Sequence, residues 1–384
     1  MDGLFALLGD YTVQNVVIGA ALLGVSSGVL GTYAVLREQS LLGDTLSHAA
    51  LPGVCLGFIV AGGRHLGSIL AGALVTGAAA ALLMLLLTRR SRLKTDAALG
   101  ISLSVFFALG VVLLTYIQGT RDASQGGLDA FLFGQAAATL RSDLWVMGTL
   151  TLLALALVAA LWKEFELVTF DPVFAGSLGL PVRALETVLT LMIALAIVIG
   201  LQMVGVVLMA SMVIAPAVAA RQWSRRLGQM VVLAAVFGAA GGVAGALASA
   251  SGRNLATGPL VVLAISVLVA VSLLVAPRRG LLWEAVRRRR NRLQLRGQRV
   301  LATLYRLSGH HDDPRYPVEQ GMVNAYFGLA TDGILARLEA HGLVRRVPHL
   351  PEEGIHWELT EAGRREAERM QDGLGREDDG RPAH

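Results

Sequence analysis

Cysteine is nearly absent from this chain: Cys55 is the single thiol in 384 residues. That excludes an internal disulfide framework and any multi-cysteine metal site within one chain. Charge is scarce as well, at 16% of residues against roughly 25% in soluble domains. No G-x-x-x-x-G-K-[ST] run occurs, so the chain has nothing to cradle nucleotide phosphates. No nucleophile, base and orienting group occur together, and the chain is not expected to be an enzyme. The opening residues, MDGLFALLGDYTVQ, lack the positive start and small-residue cleavage site of a secretory signal, so the first apolar stretch reads as a retained span.

Apolar residues are what the chain has in plenty, 54% of the total, and stretches of spanning length recur from residue 15 to residue 277. The expected class is an all-α polytopic membrane protein with spans near 15–36, 45–61, 66–88, 97–117, 143–162, 184–200, 203–220, 228–250 and 257–277. GLQMVG, at 200–205, interrupts the run from 184 to 220, and a Gln between glycines suggests two half-length helices broken beside a cavity. An eight-span count, with one of these pieces re-entrant, stays open. The Lys and Arg residues gather after spans three, five, seven and nine, which predicts an outside N-terminus and a cytoplasmic C-terminus. The net charge of +5 thus reports orientation more than nucleic-acid binding.

Residues 41–61 read LLGDTLSHAALPGVCLGFIVA and place Asp44 and His48 in an apolar stretch. An ionised Asp at a helix centre costs about 2.5–3.5 kcal/mol on insertion scales, so the position needs a reason. Residues i and i+4 share a helix face, where a carboxylate and an imidazole can converge on a divalent cation. Two structural readings stand beside that one: Asp44 as a helix N-cap after Gly43, and His48 as a core histidine bonded to a carbonyl.

Glycine is abundant, 44 residues, as in GAAGGVAGALASASG at 238–252. Small residues let helix backbones approach closely, either within the chain or at a dimer face. Residues 163–183, KEFELVTFDPVFAGSLGLPVR, form a loop of definite shape. Asp171-Pro172 starts a short helix, Phe174, Ala175 and Leu178 make its apolar side, and Gly179 ends it. Such a helix invites a soluble partner or lies on the bilayer surface.

LLGDTLSHAALPGVCLGF, the FLFG at 131–134, FDPVFAGSLGLPVR and LQMVGVVLMASMVIAPAVAA resemble, in that order, the permease subunit of the zinc, manganese and iron ABC importers. The resemblance covers about 15–277. It implies a permease homodimer, or a heterodimer with a related permease, with separate ATP-binding subunits and an extracytoplasmic metal-binding protein. It also implies that Asp44 and His48 contact the passing ion, and that Phe170, Asp171, Pro172, Phe174, Ala175, Leu178 and Gly179 fall in the segment that couples to the ATPase. Gly200, Gln202, Gly205 and Pro216 fall in a broken-helix region beside the path.

Two copies of Asp44 and His48 across a dimer axis would supply two carboxylates and two imidazoles. Imidazole disfavours calcium and magnesium, and the lack of thiolate disfavours copper(I), leaving manganese, ferrous iron and zinc as transported ions, with no permanently bound cofactor. Met203, Met209 and Met212 read as packing.

The permease domain is expected over 1–277 and a basic juxtamembrane linker over 278–296. Arg278 to Arg299 holds nine arginines against Glu284, which favours anionic membrane lipid. Residues 297–370 read as a winged-helix-like α+β cytoplasmic domain, with Thr331 capping its third helix and Gly342 stopping it, and 371–384 as a disordered tail. DNA binding is disfavoured because the third helix offers Arg337 against Asp332 and Glu339. His310, His311, Asp312 and Asp313 read as a solvated loop. A membrane-anchored, metal-responsive transcription regulator is the alternative function.

Overall fold

The computed structural model describes residues 10–63, 66–119, 134, 136, 139–252, 255–277, 280–309, 316–328, 330–348 and 354–378. The chain divides into two compact units, Met1–Leu281 and Leu282–His384.

In the first unit, nine helices among the described residues are long and apolar enough to cross a membrane. The helices of this unit are α1 Tyr11–Leu36, α2 Leu42–Ala49, α3 Leu51–Ala61, α4 Leu66–Arg90, α5 Thr95–Gly119, α6 Arg141–Ala160, α7 Trp162–Phe170, α8 Pro172–Ser177, α9 Val182–Val204, α10 Val206–Trp223, α11 Leu227–Ser251 and α12 Thr257–Val275. Helices α2 and α3 make up one span, divided at Ala50. Pro52 causes the division: it has no N–H to give to the carbonyl of His48, and its ring crowds that carbonyl.

The eight-span alternative gives way to nine. The break in the 184–220 run lies at Gly205, not at Gly200–Gln202, and its two pieces are full helices of 23 and 18 residues. Gly205 has φ 90 and ψ 163, a region open essentially to glycine alone, so the chain reverses there. Gly200 and Gln202 continue α9, and α10 runs unbroken through Pro216.

The glycines set how closely the helices pack. Helix α1 lies along α11, where a Cβ on Gly24 would collide with the Gly238 carbonyl and one on Gly28 with that of Ala234. Gly241 and Gly245 admit Ile265 and Val261 of α12 in the same way. Gly238, Gly241, Gly242 and Gly245 of the small-residue run at 238–252 therefore serve packing within the chain. The methionines fill glycine notches, with Met203 over Gly19 and Met209 over Gly200. Gly24→Val is expected to cost about 3 kcal/mol or more, because rigid backbone faces the new side chain. Gly100→Ala, where an added Cβ meets nothing, should leave the melting temperature of the purified protein unchanged or raised.

The second unit contains all but the first residue of α13 Leu281–Ser308, then β1 Val318–Glu319, α14 Gln320–Phe327, α15 Asp332–Ala340, β2 Val344–Val347, β3 His356–Leu359 and α16 Glu361–Asp378. The strands form an antiparallel sheet in the order β1-β3-β2, with Val318 opposite Trp357 and Val344 opposite Leu359. Leu301, Leu304, Val323, Leu335, Trp357 and Ala367 form its core. The Trp357 indole N–H donates to Gln320 Oε1 at 3.1 Å. Thr331 precedes α15 without a side-chain cap bond; its hydroxyl donates to Asn324 Oδ1 instead. Gly342, at φ 70, follows the end of that helix. The segment expected to be disordered from residue 371 continues α16 as far as Asp378. His310 to Asp313 and Phe131 to Phe133 lie outside the described residues.

Candidate functional site

Helix α2 presents Asp44 and His48 one turn apart, with His48 Nε2 3.3 Å from Asp44 Oδ1. The N-cap of α2 is Leu41 and Asp44 sits in the first turn, so Asp44 is not the N-cap. His48 is not a carbonyl-bonded core histidine either: its Nδ1 is buried with no partner, and its ring stands edge-on to Phe107, centroids 4.9 Å apart. The Asp44 side chain is 41% exposed and that of His48 21%, so the pair lies at an open margin of the fold.

The rest of α2 is anchored without help from these two side chains. Gly43 lets the helix lie against Ala210 of α10, and the Thr45 hydroxyl donates to Leu99 O of α5 at 3.4 Å. The Ser47 hydroxyl bonds back to Gly43 O at 2.7 Å. One chain thus offers a carboxylate oxygen and an imidazole nitrogen to a cation. No group of three or more His, Cys, Asp or Glu side chains that could hold a metal occurs among the described residues.

The turn before α2 is tied down by charge. Arg37 Nη2 lies 3.3 Å from Glu186 Oε1, and Arg89 Nη2 lies 3.3 Å from Glu186 Oε2. Arg89 also donates to Arg183 O at 2.8 Å and to Thr187 Oγ1 at 3.2 Å. Three elements therefore meet at one carboxylate: the α1–α2 turn, the end of α4 and the start of α9. Sequence reasoning missed this network and the Phe107 contact. Glu186 was a visible signal, being an acid within an apolar stretch.

The segment from 162 to 179 folds as two short helices. Asp171 accepts from the Phe174 N–H at 2.9 Å, Pro172 occupies the first turn of α8, and Gly179 follows at φ 81. Ala175, expected on the outward apolar side, is fully buried and holds α8 to the fold. The outward side consists of Phe170, Val173, Phe174 and Leu178, of which Val173 is the most exposed at 83%. Val173 escaped sequence reasoning because nothing local sets which way α8 is turned. Behind it, buried Phe165 of α7 meets Tyr33 of α1 edge-on at 6.0 Å, which links this segment to the helix leading into α2.

At the opposite ends of the spans, Gly134 fits against the α9–α10 junction, where a Cβ would collide with the carbonyl of Met203. Gln202 donates to Asp143 Oδ2 at 3.3 Å, and the same oxygen accepts from the Leu140 N–H at 3.0 Å. Pro216 is buried within α10. Gly205 is brought together with Gly134 at this junction; Gly200 is taken up under Met209.

Three comparisons bear on this arrangement. The family model described as ABC 3 transport family matches residues 9–276. The chain is 45% identical over 304 residues to the manganese transport system membrane protein MntC of Bacillus subtilis (strain 168), covering 79% of this chain and 70% of that one. It is 42% identical over 290 residues to the zinc transport system membrane protein TroC of Treponema pallidum (strain Nichols), covering 76% and 97%. The solved structure of PsaBC from Streptococcus pneumoniae in complex with Fab is similar at a TM-score of 0.64 and 31% identity, over 72% of this chain and 97% of that one. With nine helices of spanning length among the described residues and a family match across nearly all of the first unit, the chain belongs to the ABC 3 transport family and is a membrane permease of that family.

Proposed function

We propose that this permease imports a divalent transition-metal ion, manganese, zinc or ferrous iron, past a ring formed by Asp44 and His48 from two permease chains. The observation that carries this reading is the pair itself: one oxygen and one nitrogen donor, 3.3 Å apart and partly open, on a helix anchored by other residues. A two-fold axis beside α2 doubles the set to two carboxylates and two imidazoles, enough for a tetrahedral or wider shell. The mixed donor set suits these three ions better than calcium, magnesium or copper(I). The names of the manganese and zinc relatives support the same class. Family membership favours the permease over a membrane-anchored regulator.

Energy for transport comes from a separate ATP-binding subunit. Val173 and Phe174 on the capped α8, with Phe170 before it and Leu178 after it, are an exposed apolar surface suited to a groove in that partner. Its pull would reach α1 through Phe165 and Tyr33. The joint change Val173→Asp and Phe174→Asp should weaken co-purification of the ATP-binding subunit at least tenfold while leaving the permease melting temperature unchanged, since both side chains face outward. Unaltered co-purification would remove this surface from the interface.

Basic residues at the ends of α4, α9 and α10 support a cytoplasmic location for those ends and for the C-terminus. An extracytoplasmic metal-binding protein would deliver the ion at the other ends, near Gly134 and Gly205. The second unit, with its helices and three-stranded sheet, fits a winged-helix-like module that docks on the ATP-binding subunit or a partner permease rather than on DNA. Proteoliposomes holding the complete transporter provide the test. ATP-dependent accumulation of manganese, with zinc and ferrous iron in competition, is expected, and failure to accumulate any of the three would overturn the reading.

A further inference from the structure

A groove of about 630 Å³ opens where the end of α4 meets the start of α9. One wall is apolar, made by Leu82, Leu83, Leu85 and Leu86, of which Leu82 and Leu86 are 48% and 50% exposed. Arg89, Arg90 and Arg183 line it as well. Arg89 is committed to Glu186, but Arg90 and Arg183 are exposed and make no ion pair with any acid among the described residues.

We propose that this groove binds an anionic phospholipid, its phosphate held by Arg90 and Arg183 and an acyl chain laid along the leucines. The spacing fits such a molecule. Leu82 precedes Arg90 by eight residues, about 12 Å along a helix at ~1.5 Å per residue. The cations thus sit at headgroup level when the leucines are at the depth of the upper acyl chain. A soluble anion would make no use of four leucines, and a neutral apolar ligand would make no use of two unpaired guanidinium groups. Guanidinium forks grip phosphate oxygens in pairs, which sets this groove apart from apolar helix surface that any lipid covers. The site is independent of the identity of the transported ion.

Native mass spectrometry of the purified full-length transporter, with phosphatidylglycerol, phosphatidylcholine or glycerol phosphate added, tests the assignment by counting retained molecules. Phosphatidylglycerol should be retained at one more molecule per permease chain than phosphatidylcholine. Arg90→Gln with Arg183→Gln should lower occupancy of that molecule at least tenfold. Arg92→Gln with Lys94→Gln, which removes the same charge from the adjoining loop, should leave it in place. Four results would overturn the proposal: equal retention by the groove double variant, equal retention of phosphatidylcholine, retention of glycerol phosphate without an acyl chain, or loss of lipid only when the permease dimer dissociates. The last would assign the groove to a protein contact. Should the double variant fail to fold, Leu82→Asn with Leu86→Asn should give the same loss through the acyl wall.

Discussion

Changing His48 to Ala is expected to reduce metal uptake by the complete transporter at least 100-fold, and Asp44→Asn by a similar factor. Loss of a mere supporting partner around a metal commonly costs about 10–100-fold, and here a donor itself is removed from a set that is only two per chain. Folding should survive both changes, because α2 is fixed through Gly43 against Ala210, Thr45 to Leu99 and Ser47 to Gly43. Uptake, co-purification of the ATP-binding subunit and melting temperature should be read on the same preparations. A drop in uptake alone would place the ion path at this pair. Undiminished uptake in both variants would move the path to the α9–α10 junction. Protons oppose the ion at these donors, since carboxylate and imidazole bind metal only when deprotonated. Wild-type uptake should therefore decline as the external medium is acidified, with a flat profile counting against both ligands.

Glu186→Ala is expected to destabilise the first unit by about 3–5 kcal/mol, the range for breaking a buried ion pair by removing one partner. The Arg37 side chain is only 9% exposed, and without Glu186 its charge stays in the fold unpaired. The double change Glu186→Ala with Arg37→Met should be milder than Glu186→Ala alone, because it leaves no buried charge behind. Melting temperatures of the three proteins in one detergent decide the matter. Equal stability of wild type and Glu186→Ala would show that solvent already screens the triad.

The i and i+4 spacing of Asp44 and His48 was legible in the sequence because a helix face is a local property, and the same holds for the Asp171 cap and the turn at Gly179. Long-range placement was not. Arg89 and Glu186 lie 97 residues apart, and nothing local announces that they meet. The orientation of α8 is set by what Ala175 packs against, so Val173 stayed hidden. Gly200 and Gly205 look equivalent as helix breakers; Met209 occupies the notch of one, and only the other takes a positive φ. Glycine-rich 238–252 signalled close packing correctly but not against which helix, since α1 is about two hundred residues away.

The contact between α1 and α11 has a mechanical consequence. Backbone touching backbone cannot be squeezed or slid without a clash, so these two helices behave as a single strut. Bending of the unit is then easier where consecutive helices are interrupted without a loop, as at Ala50, ahead of Pro52, and at Gly205, under Gly134. The first adjoins Asp44 and His48 and the second lies toward the opposite ends of the spans. A rigid spine flanked by two interruptions leaves the ends of the spans on either side free to shift independently of one another.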